Sequence, residues 1–318
     1  MRVFCSAVAA MTAMVFTASM ASAQSGAAPT VVSMATATRG GGFTLFGDAA
    51  AAAINAADPT LRVETKNTKG SLENIGLLAD GKFDIALVQG VAAHEAYAGI
   101  GRKPVDLKVI AAIYSSPGMF VVRGGSPART VADLKGLPIA WGTKNSGLTL
   151  MARYIMDGLG LDRDKDFKPR FLAKAGDGPG LVASGEVAAF WGGGIGWPGF
   201  TRVMKSGGRF IGFTPEDVEK VTAKHAFLKA MTVPAGSYQG QKTDVLAIGV
   251  WSFIIARKDL PDDTAYRLAR ALHKANPALA ARLRQAKETL PENTAKAATP
   301  SQIHPGVRKY LKEIGAMR

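Results

Sequence analysis

Residues 68–89, TKGSLENIGLLADGKFDIALVQ, carry side chains whose spacing suits the binding of a small molecule. A Gly-Ser turn opens a short predicted helix at Ser71, and a second glycine turn separates it from an apolar strand that ends at Gln89. The first N–H groups of a helix lack intrahelical partners and favour an anion. Ligands of open α/β sheets bind beyond the carboxyl ends of the strands, where Gln89 would lie. This segment therefore predicts one wall of a cleft.

Two other glycine-containing turns repeat this arrangement of strand, turn and helix start. The turn at residues 40–42 leaves its N–H groups and the hydroxyl of Thr44 open to a ligand, and the turn at residues 145–147 does the same with Ser146. Ordinary N-capping explains each turn equally well when it is taken singly. Their repetition at strand ends predicts that three helix N-termini, at Thr44, Ser71 and Ser146, converge on one small anion.

The remaining candidate contacts are aromatic and basic. In the sequence FWGGGIGWP, which starts at residue 190, Trp191 and Trp197 flank a glycine-rich segment and predict stacking on an apolar or planar ligand. Trp191 could instead end a strand inside the core, whereas Trp197 precedes Pro198 at a predicted helix start. Arg39 and Lys144 adjoin two of the glycine turns and could neutralise a carboxylate, although chance proximity is the alternative.

Signatures of catalysis, metal binding and cofactor binding do not occur in the sequence. It contains no HExxH, GxSxG or GxxxxGK[ST] motif, and its four histidines lie far apart. The turn at residues 40–42 follows a strand and precedes a helix, but it lacks the GxGxxG spacing of a dinucleotide-binding loop. We therefore predict no catalytic residues, no metal site and no cofactor.

The N-terminus predicts export from the cytoplasm. One arginine precedes an apolar, alanine-rich stretch that ends in Ala-Ser-Ala before Gln24, so residues 1–23 resemble a signal peptide for the periplasm. Cleavage there would remove Cys5, the one cysteine, and leave a chain without disulfides. The net charge is +14, but the lysines and arginines are dispersed and no nucleic-acid-binding motif occurs. A positive field favours encounter with small anions and with acidic partner surfaces, and a solvated surface without a specific role is the alternative.

Strand-like and helix-like segments alternate along the mature chain, which predicts an α/β fold with a parallel sheet covered by helices on both faces. A second unit of the same kind is inserted into the first. We expect two lobes joined by a hinge, with lobe I formed by residues 24–117 and 246–318 and lobe II by residues 118–245. Two-lobed shells of this type close around ligands in periplasmic binding proteins.

The chain would cross between the lobes twice. The first crossover is predicted between a strand at residues 107–114 and a second strand at residues 120–123. The second is predicted at the start of the apolar segment DVLAIGVWSFIIAR, residues 244–257, which reads as one long strand.

Residues 68–89 resemble the TxGSxxNxxLLxxGxxDxAxxQ segment of the TAXI-type solute receptors of TRAP transporters. The resemblance extends through most of the mature chain, to the turn at 40–42, VADLKG at 131–136, the turn at 142–147, GWP at 196–198, DLPDDTAY at 259–266 and HPG at 304–306. It implies a type II periplasmic binding protein fold. It also implies delivery of a solute to TRAP membrane subunits, driven by an ion gradient.

Four positions depart from the pattern of that family. Phe43 and Leu45 stand where the family often has Thr and Tyr, Leu148 stands where Thr is common, and Trp197 replaces a frequent His. Because polar donors give way to apolar surface, we predict a small organic anion with an apolar or aromatic part. The predicted ligand-binding residues are Gly42, Phe43, Thr44, Thr68, Ser71, Asn74, Gln89, Tyr114, Asn145, Ser146, Gly147, Trp191 and Trp197.

We expect a monomeric receptor that is not an enzyme and that has two kinds of partner, a small organic anion and the membrane subunits of a TRAP transporter. Two alternatives stay open. The chain could supply an ABC importer with sulfonate-like anions, or it could be an enzyme built on the same two-lobed fold.

Overall fold

The computed structural model describes residues 28–318, so the predicted signal peptide and its cleavage site lie outside the described residues. The strands are β1 (Thr30–Ala35), β2 (Leu61–Lys66), β3 (Ile85–Gln89), β4 (Leu107–Val122), β5 (Pro138–Gly142), β6 (Lys168–Phe171), β7 (Ala189–Gly193), β8 (Arg209–Ile211), β9 (Lys229–Val233) and β10 (Val245–Arg257). The helices are α1 (Gly42–Ala57), α2 (Ser71–Ala79), α3 (Gly90–Ala98), α4 (Gly147–Gly158), α5 (Gly178–Ser184), α6 (Pro198–Lys205), α7 (Pro215–Lys224), α8 (Asp262–Arg282), α9 (Pro291–Ala297) and α10 (Pro305–Glu313).

All these strands form one mixed sheet in the order β2-β1-β3-β10-β4-β7-β5-β6, with β8 paired to β4 and β9 to β10. At one end β1 pairs in parallel with β2 and β3, and at the other β5 pairs in parallel with β6 and β7. Strands β4 and β10 lie antiparallel between these two parallel parts. Two lobes therefore share two long strands. The proposed residue bounds of the lobes remain a prediction.

Strand β4 corrects the sequence-based expectation of two strands with a crossover between them. It runs without a break over 16 residues. Its first part pairs with β10 as far as Gly118, and its last part pairs with β7 and β8. Pro117, which has no N–H group to give to a ladder, lies next to Gly118, where pairing with β7 begins. The chain passes from one lobe to the other within a strand.

Helix α1 shows how composition and spacing place one element of the cleft. Its alanine-rich sequence favours a helix, and the helix ends before Asp58, which precedes a proline. Phe46, Ala50 and Ile54 recur every four residues and are buried on one face of the helix. Helix α1 packs against α8 and β2, so its N-terminus is held at the carboxyl ends of β1 and β3.

The lobes also touch each other through helices α3 and α4. Arg153 and Tyr154 on α4 donate hydrogen bonds of 3.0 and 2.8 Å to the Glu95 carboxylate on α3. The His94 ring stacks on Phe227, with 4.1 Å between the ring centres. Burial lowers the pKa of His94, so this ring favours its neutral form.

Candidate functional site

A cleft lies between the lobes and encloses about 80 Å³. That is roughly half the volume of a cavity that accommodates benzene, so the lobes are nearly closed on each other. The lining residues are Ala37, Thr38, Gly41, Gly42, Phe43, Lys69, Gly70, Ser71, Gln89, Tyr114, Ser116, Thr143, Ser146, Gly147, Leu148, Ala175, Gly193, Trp197 and Ser252. Eight predicted ligand-binding residues belong to this set, namely Gly42, Phe43, Ser71, Gln89, Tyr114, Ser146, Gly147 and Trp197.

The N-terminus of α1 faces the cleft, but the hydroxyl of Thr44 points to the preceding loop. Thr44 Oγ1 donates to the carbonyl groups of Ala37 and Thr38, each at 3.1 Å, and accepts a hydrogen bond from Asn67. It therefore ties the preceding loop to α1 and is not a lining residue. The N–H group of Gly41 donates to Thr38, and the first intrahelical bond is made by Leu45. The N–H groups of residues 42–44 consequently have no acceptor within the helix.

Thr68 and Asn74 support the cleft wall from behind. Asn74 is fully buried, and its Nδ2 donates to the carbonyl groups of Thr36 and Leu87 at 2.7 and 2.8 Å. The Thr68 hydroxyl donates to Asn74 Oδ1 at 2.7 Å. These bonds connect the carboxyl ends of β1 and β3, so Thr68 and Asn74 hold the cleft wall in place. The sequence predicted that they contact the ligand, but neither lines the cleft.

Helix α2 does not offer its whole N-terminus to a ligand. The N–H group of Leu72 donates to the Asn145 carbonyl of the other lobe at 3.2 Å. Gly70 has φ of +119°, a conformation that favours glycine, and a side chain there would lie 3.1 Å from the same carbonyl. Asn145 therefore bridges the lobes through its main chain, and only part of the α2 terminus stays open to a ligand.

Ser71, Gln89 and Ser146 line the cleft but already make local hydrogen bonds. Ser71 Oγ accepts from the N–H group of Gln89 at 3.1 Å. Gln89 Oε1 accepts from Val91 at 2.8 Å and caps α3, and its Nε2 lies 3.3 Å from Met151 Sδ of the other lobe. Ser146 Oγ caps α4 by accepting from Leu148. Capping is thus the observed role of two of these side chains, although they border the cleft.

The two tryptophans differ in position. Trp191 is buried in the core, where Nε1 donates to the Leu148 carbonyl at 2.8 Å and the ring packs against Phe120. The prediction that Trp191 stacks on the ligand therefore conflicts with its position. Trp197 lines the cleft, but its ring packs on Phe190 and Phe200. Its pyrrole edge, rather than its face, approaches Gly42.

The predicted basic residues do not line the cleft. Arg39 and Lys144 are both exposed, and Lys144 Nζ lies over the Phe171 ring, 5.6 Å from its centre. The charged residue that does border the cleft is Lys69, which sequence reasoning missed and which is also exposed. Among the lining residues there is no carboxylate. The walls are therefore almost neutral.

Sequence reasoning also missed the floor of the cleft. Ser116 and Ser252 are buried there on β4 and β10, and their hydroxyls are 2.8 Å apart. Ser252 is an isolated polar residue in the apolar segment of β10, and this signal was available in the sequence. Ser116 gave no comparable signal, because it stands beside Pro117 in what reads as a turn.

Within residues 28–318, no group of three or more His, Cys, Asp or Glu side chains is arranged to hold a metal ion. In the same range no helix has the length and apolar character needed to cross a membrane.

The fold and the interlobe cleft together define the class of protein. The chain has the two-lobed α/β fold of periplasmic binding proteins, as expected from the sequence. It belongs to the NMT1-like family, whose model matches residues 34–315.

Solved structures with the same fold are distant in sequence. A protein described as a periplasmic transporter is 12% identical with a TM-score of 0.59, over 90% of this chain and 92% of that one. A putative sulfonate ABC transporter component, the periplasmic sulfonate-binding protein SsuA from Methylobacillus flagellatus KT, is 17% identical with a TM-score of 0.51, over 91% and 96%. The alkanesulfonate-binding protein SsuA from Xanthomonas axonopodis pv. citri bound to MOPS is 16% identical with a TM-score of 0.50, over 90% and 85%. The assignment to TAXI-type receptors stays a prediction.

Proposed function

We propose that this chain is a periplasmic solute-binding protein that captures a small organic anion in the interlobe cleft and passes it to the membrane subunits of a transporter. One observation carries the proposal. The free N–H groups at the start of α1 face a nearly closed cleft between two lobes, whose walls contain apolar surface and no carboxylate. Such a site stabilises negative charge without a metal or a buried cation.

Closure of the lobes takes the place of catalysis in this proposal. Hydrogen bonds join the lobes on both sides of the cleft. Leu72 N donates to the Asn145 carbonyl on one side, and Ala175 N donates to the side-chain oxygen Thr38 Oγ1 at 3.3 Å on the other. A ligand that contacts both walls favours this closed arrangement over an open one. Membrane subunits would then recognise the closed, loaded form.

Two types of transporter are candidates. The sulfonate-binding proteins among the structural neighbours, one of them described as a component of an ABC transporter, support an ABC importer. The resemblance of residues 68–89 to TAXI-type receptors supports a TRAP transporter driven by an ion gradient. We place the ABC importer first, because the neighbours that support it align over nine-tenths of the chain.

Native mass spectrometry of the protein purified from periplasm tests the proposal. We expect a retained small anion of constant mass, which raises the free energy of unfolding by nearly 3 kcal/mol when added back at about a hundred times its Kd. Chemical turnover of that molecule by the purified protein would instead support an enzyme. Absence of any retained or stabilising solute would contradict the proposal.

Uptake of the retained anion into membrane vesicles separates the two transporters. An ABC importer requires ATP on the cytoplasmic side and tolerates collapse of the ion gradient. Uptake that continues without ATP and stops when the gradient is collapsed would support a TRAP transporter in its place.

A further inference from the structure

Two hydrogen-bond donors on buried side chains line the cleft and have no partner among residues 28–318. Tyr114 and Trp197 are each 6% exposed. Within residues 28–318, no acceptor is hydrogen-bonded to Tyr114 Oη or to Trp197 Nε1, although both side chains line the cleft. Burial raises the pKa of Tyr114, so its hydroxyl keeps its proton and remains a donor. Both side chains line the cleft, so a ligand bound there can supply the acceptor that residues 28–318 do not.

Both donors converge on the first residue of helix α1. A methyl group placed on Gly42 would lie 3.6 Å from Tyr114 Oη and 4.0 Å from Trp197 Nε1. Ligand atoms in the space between these groups would also lie near the N-terminus of a 16-residue helix, beside the N–H groups of residues 42–44, which have no acceptor within the helix. Side-chain donors and main-chain donors therefore surround one small volume.

The charges around this volume restrict the ligand further. An ammonium group buried in the cleft needs a carboxylate or several acceptors, and the lining contains no aspartate or glutamate. The hydroxyl groups of Ser71 and Ser146 already accept main-chain hydrogen bonds. The N-terminus of α1, where the donors converge, also disfavours positive charge.

We infer that the volume bordered by Gly42, Tyr114 and Trp197 binds the oxyanion head group of the solute, a carboxylate or sulfonate, and that this solute carries no ammonium group. The inference rests on the proposed function and narrows the class of solute to organic acids that lack an amino group. Trp197 accordingly contacts the ligand as a hydrogen-bond donor and not as a stacking surface. The remainder of the solute faces Phe43 and Leu148 on the apolar part of the wall.

Matched pairs of acids test the charge requirement by isothermal titration calorimetry. The pairs are propionate with L-alanine, 3-phenylpropionate with L-phenylalanine and glutarate with L-glutamate, because each amino acid differs from its partner only by the ammonium group. We expect the acid to bind at least tenfold more tightly than its amino acid in every pair that binds. A preference for the amino acid, or an amino acid retained from periplasm, would overturn this inference and leave the solute-binding function standing. Failure of all six compounds, with no solute retained, would contradict both.

Substitutions at the proposed head-group site test its position. Tyr114→Phe removes one donor and keeps the ring, so we expect at least tenfold weaker binding of the preferred acid, because a hydrogen bond to a charged acceptor is lost. The melting temperature without ligand should stay equal or rise, because the lost hydroxyl has no partner in the protein. Trp197→Phe should weaken binding by a similar factor.

Gly42→Ala is the most direct test of the site's position, because its methyl group would project into the proposed head-group site. The nearest atom to that methyl is Trp197 Cδ1 at 3.3 Å, so the variant should fold, and binding of the acid should be lost. Gly76→Ala is the matched control, since it lies in helix α2 with no atom within 4 Å of its methyl group. Binding by Gly42→Ala that equals binding by the Gly76→Ala control would overturn the assignment of the head-group site.

Discussion

Asn74 shows that a residue within a binding motif can be needed to build a site that it does not contact. Its amide joins the carbonyl groups of Thr36 and Leu87 and accepts the hydroxyl of Thr68, all away from the cleft lining. The strand ends that carry the cleft wall are therefore fixed by one buried side chain. The sequence predicted the importance of this position but assigned it to the ligand.

Replacement of Asn74 by alanine should destabilise the protein before it affects specificity. Two buried carbonyl groups and a hydroxyl would lose their partner, so we expect the free energy of unfolding to fall by about 2–3 kcal/mol. Urea denaturation measures this loss. Asn67→Ala serves as the control, because that exposed amide should contribute less than about 1 kcal/mol. Equal losses in the two variants would contradict the role assigned to Asn74.

His304 makes stability depend on pH. It is buried, its Nδ1 accepts from the N–H group of Gly306 at the start of α10, and its Nε2 donates to the Leu260 carbonyl at 2.9 Å. Burial lowers the pKa of His304 below that of a free histidine, although the hydrogen bond to the Leu260 carbonyl and the nearby Asp262 oppose the shift. The unfolded chain therefore binds a proton at a higher pH than the folded protein does.

The free energy of unfolding should consequently fall as the pH decreases from 7 through about 6.5, the usual pKa of histidine, and continue to fall until the folded protein also binds the proton. His304→Asn keeps an acceptor for Gly306 and should make this dependence shallower, with a residual slope from His94. Urea denaturation at several pH values between 7 and 5 provides the comparison. An identical slope in the variant and in the original protein would contradict the prediction.

At the scale of elements, the segment between β7 and α6 depends on a single tyrosine. Tyr238 Oη donates to the Gly194 carbonyl at 2.6 Å and accepts from the Trp197 N–H group at 3.2 Å. Through these two bonds the segment presents the edge of Trp197 to the cleft. No pattern in the sequence connects Tyr238 with Trp197, because the two residues meet only in the folded protein.

Tyr238→Phe should therefore reduce both stability and ligand affinity. We expect a loss of about 1–3 kcal/mol, because a buried carbonyl and a buried N–H group lose their partner. Urea denaturation and calorimetry with the preferred acid measure the two effects. The control is Tyr97→Phe, because the buried Tyr97 hydroxyl makes no hydrogen bond in the described part of the chain. A Tyr238→Phe protein as stable as this control would be inconsistent with the proposed support of Trp197.

Elements with strong local signals were predictable from the sequence, and those decided by distant partners were not. The glycine turns and the alanine-rich segment predicted α1, α2 and α4 close to their observed positions. A crossover was predicted between residues 114 and 120, but β10 pairs with β4 as far as Gly118 and the strand is continuous. Helix α3 begins at Gly90, directly after β3, because Gln89 caps it. The sequence placed Gln89 at the end of a strand and assigned it to the ligand, but it did not reveal this capping bond.

For the molecule as a whole, closure depends on how near the lobes can approach. Gly147 is the first residue of α4, and a methyl group on it would lie only 2.5 Å from Gln89 Cβ and 3.1 Å from Ser71 Oγ, both on the opposite lobe. Alanine suits a helix, so the substitution does not disturb lobe II itself. The added methyl group would instead keep the two lobes apart at this contact.

Gly147→Ala should weaken binding of the preferred acid at least tenfold, because the lobes no longer reach their observed separation. Small-angle X-ray scattering should show that saturating acid compacts the original protein and compacts this variant less. Gly180→Ala, on an exposed position of α5 with open space around it, is the matched control. Full compaction and unchanged affinity in Gly147→Ala would contradict the prediction that closure requires a glycine at this contact between the lobes.

The two strands shared by the lobes also determine the order in which the protein can fold. Strand β10 fills the position between β3 and β4, yet it is synthesised long after both, and Ser116 and Ser252, which meet across β4 and β10, are 136 positions apart in sequence. Until residues 245–257 have been synthesised and have paired, β3 and β4 each keep an unpaired apolar edge. Such an edge can pair with strands of other chains. Nascent chains that stop before residue 245 should therefore aggregate, and folding should be slow because it waits for this late, non-local pairing.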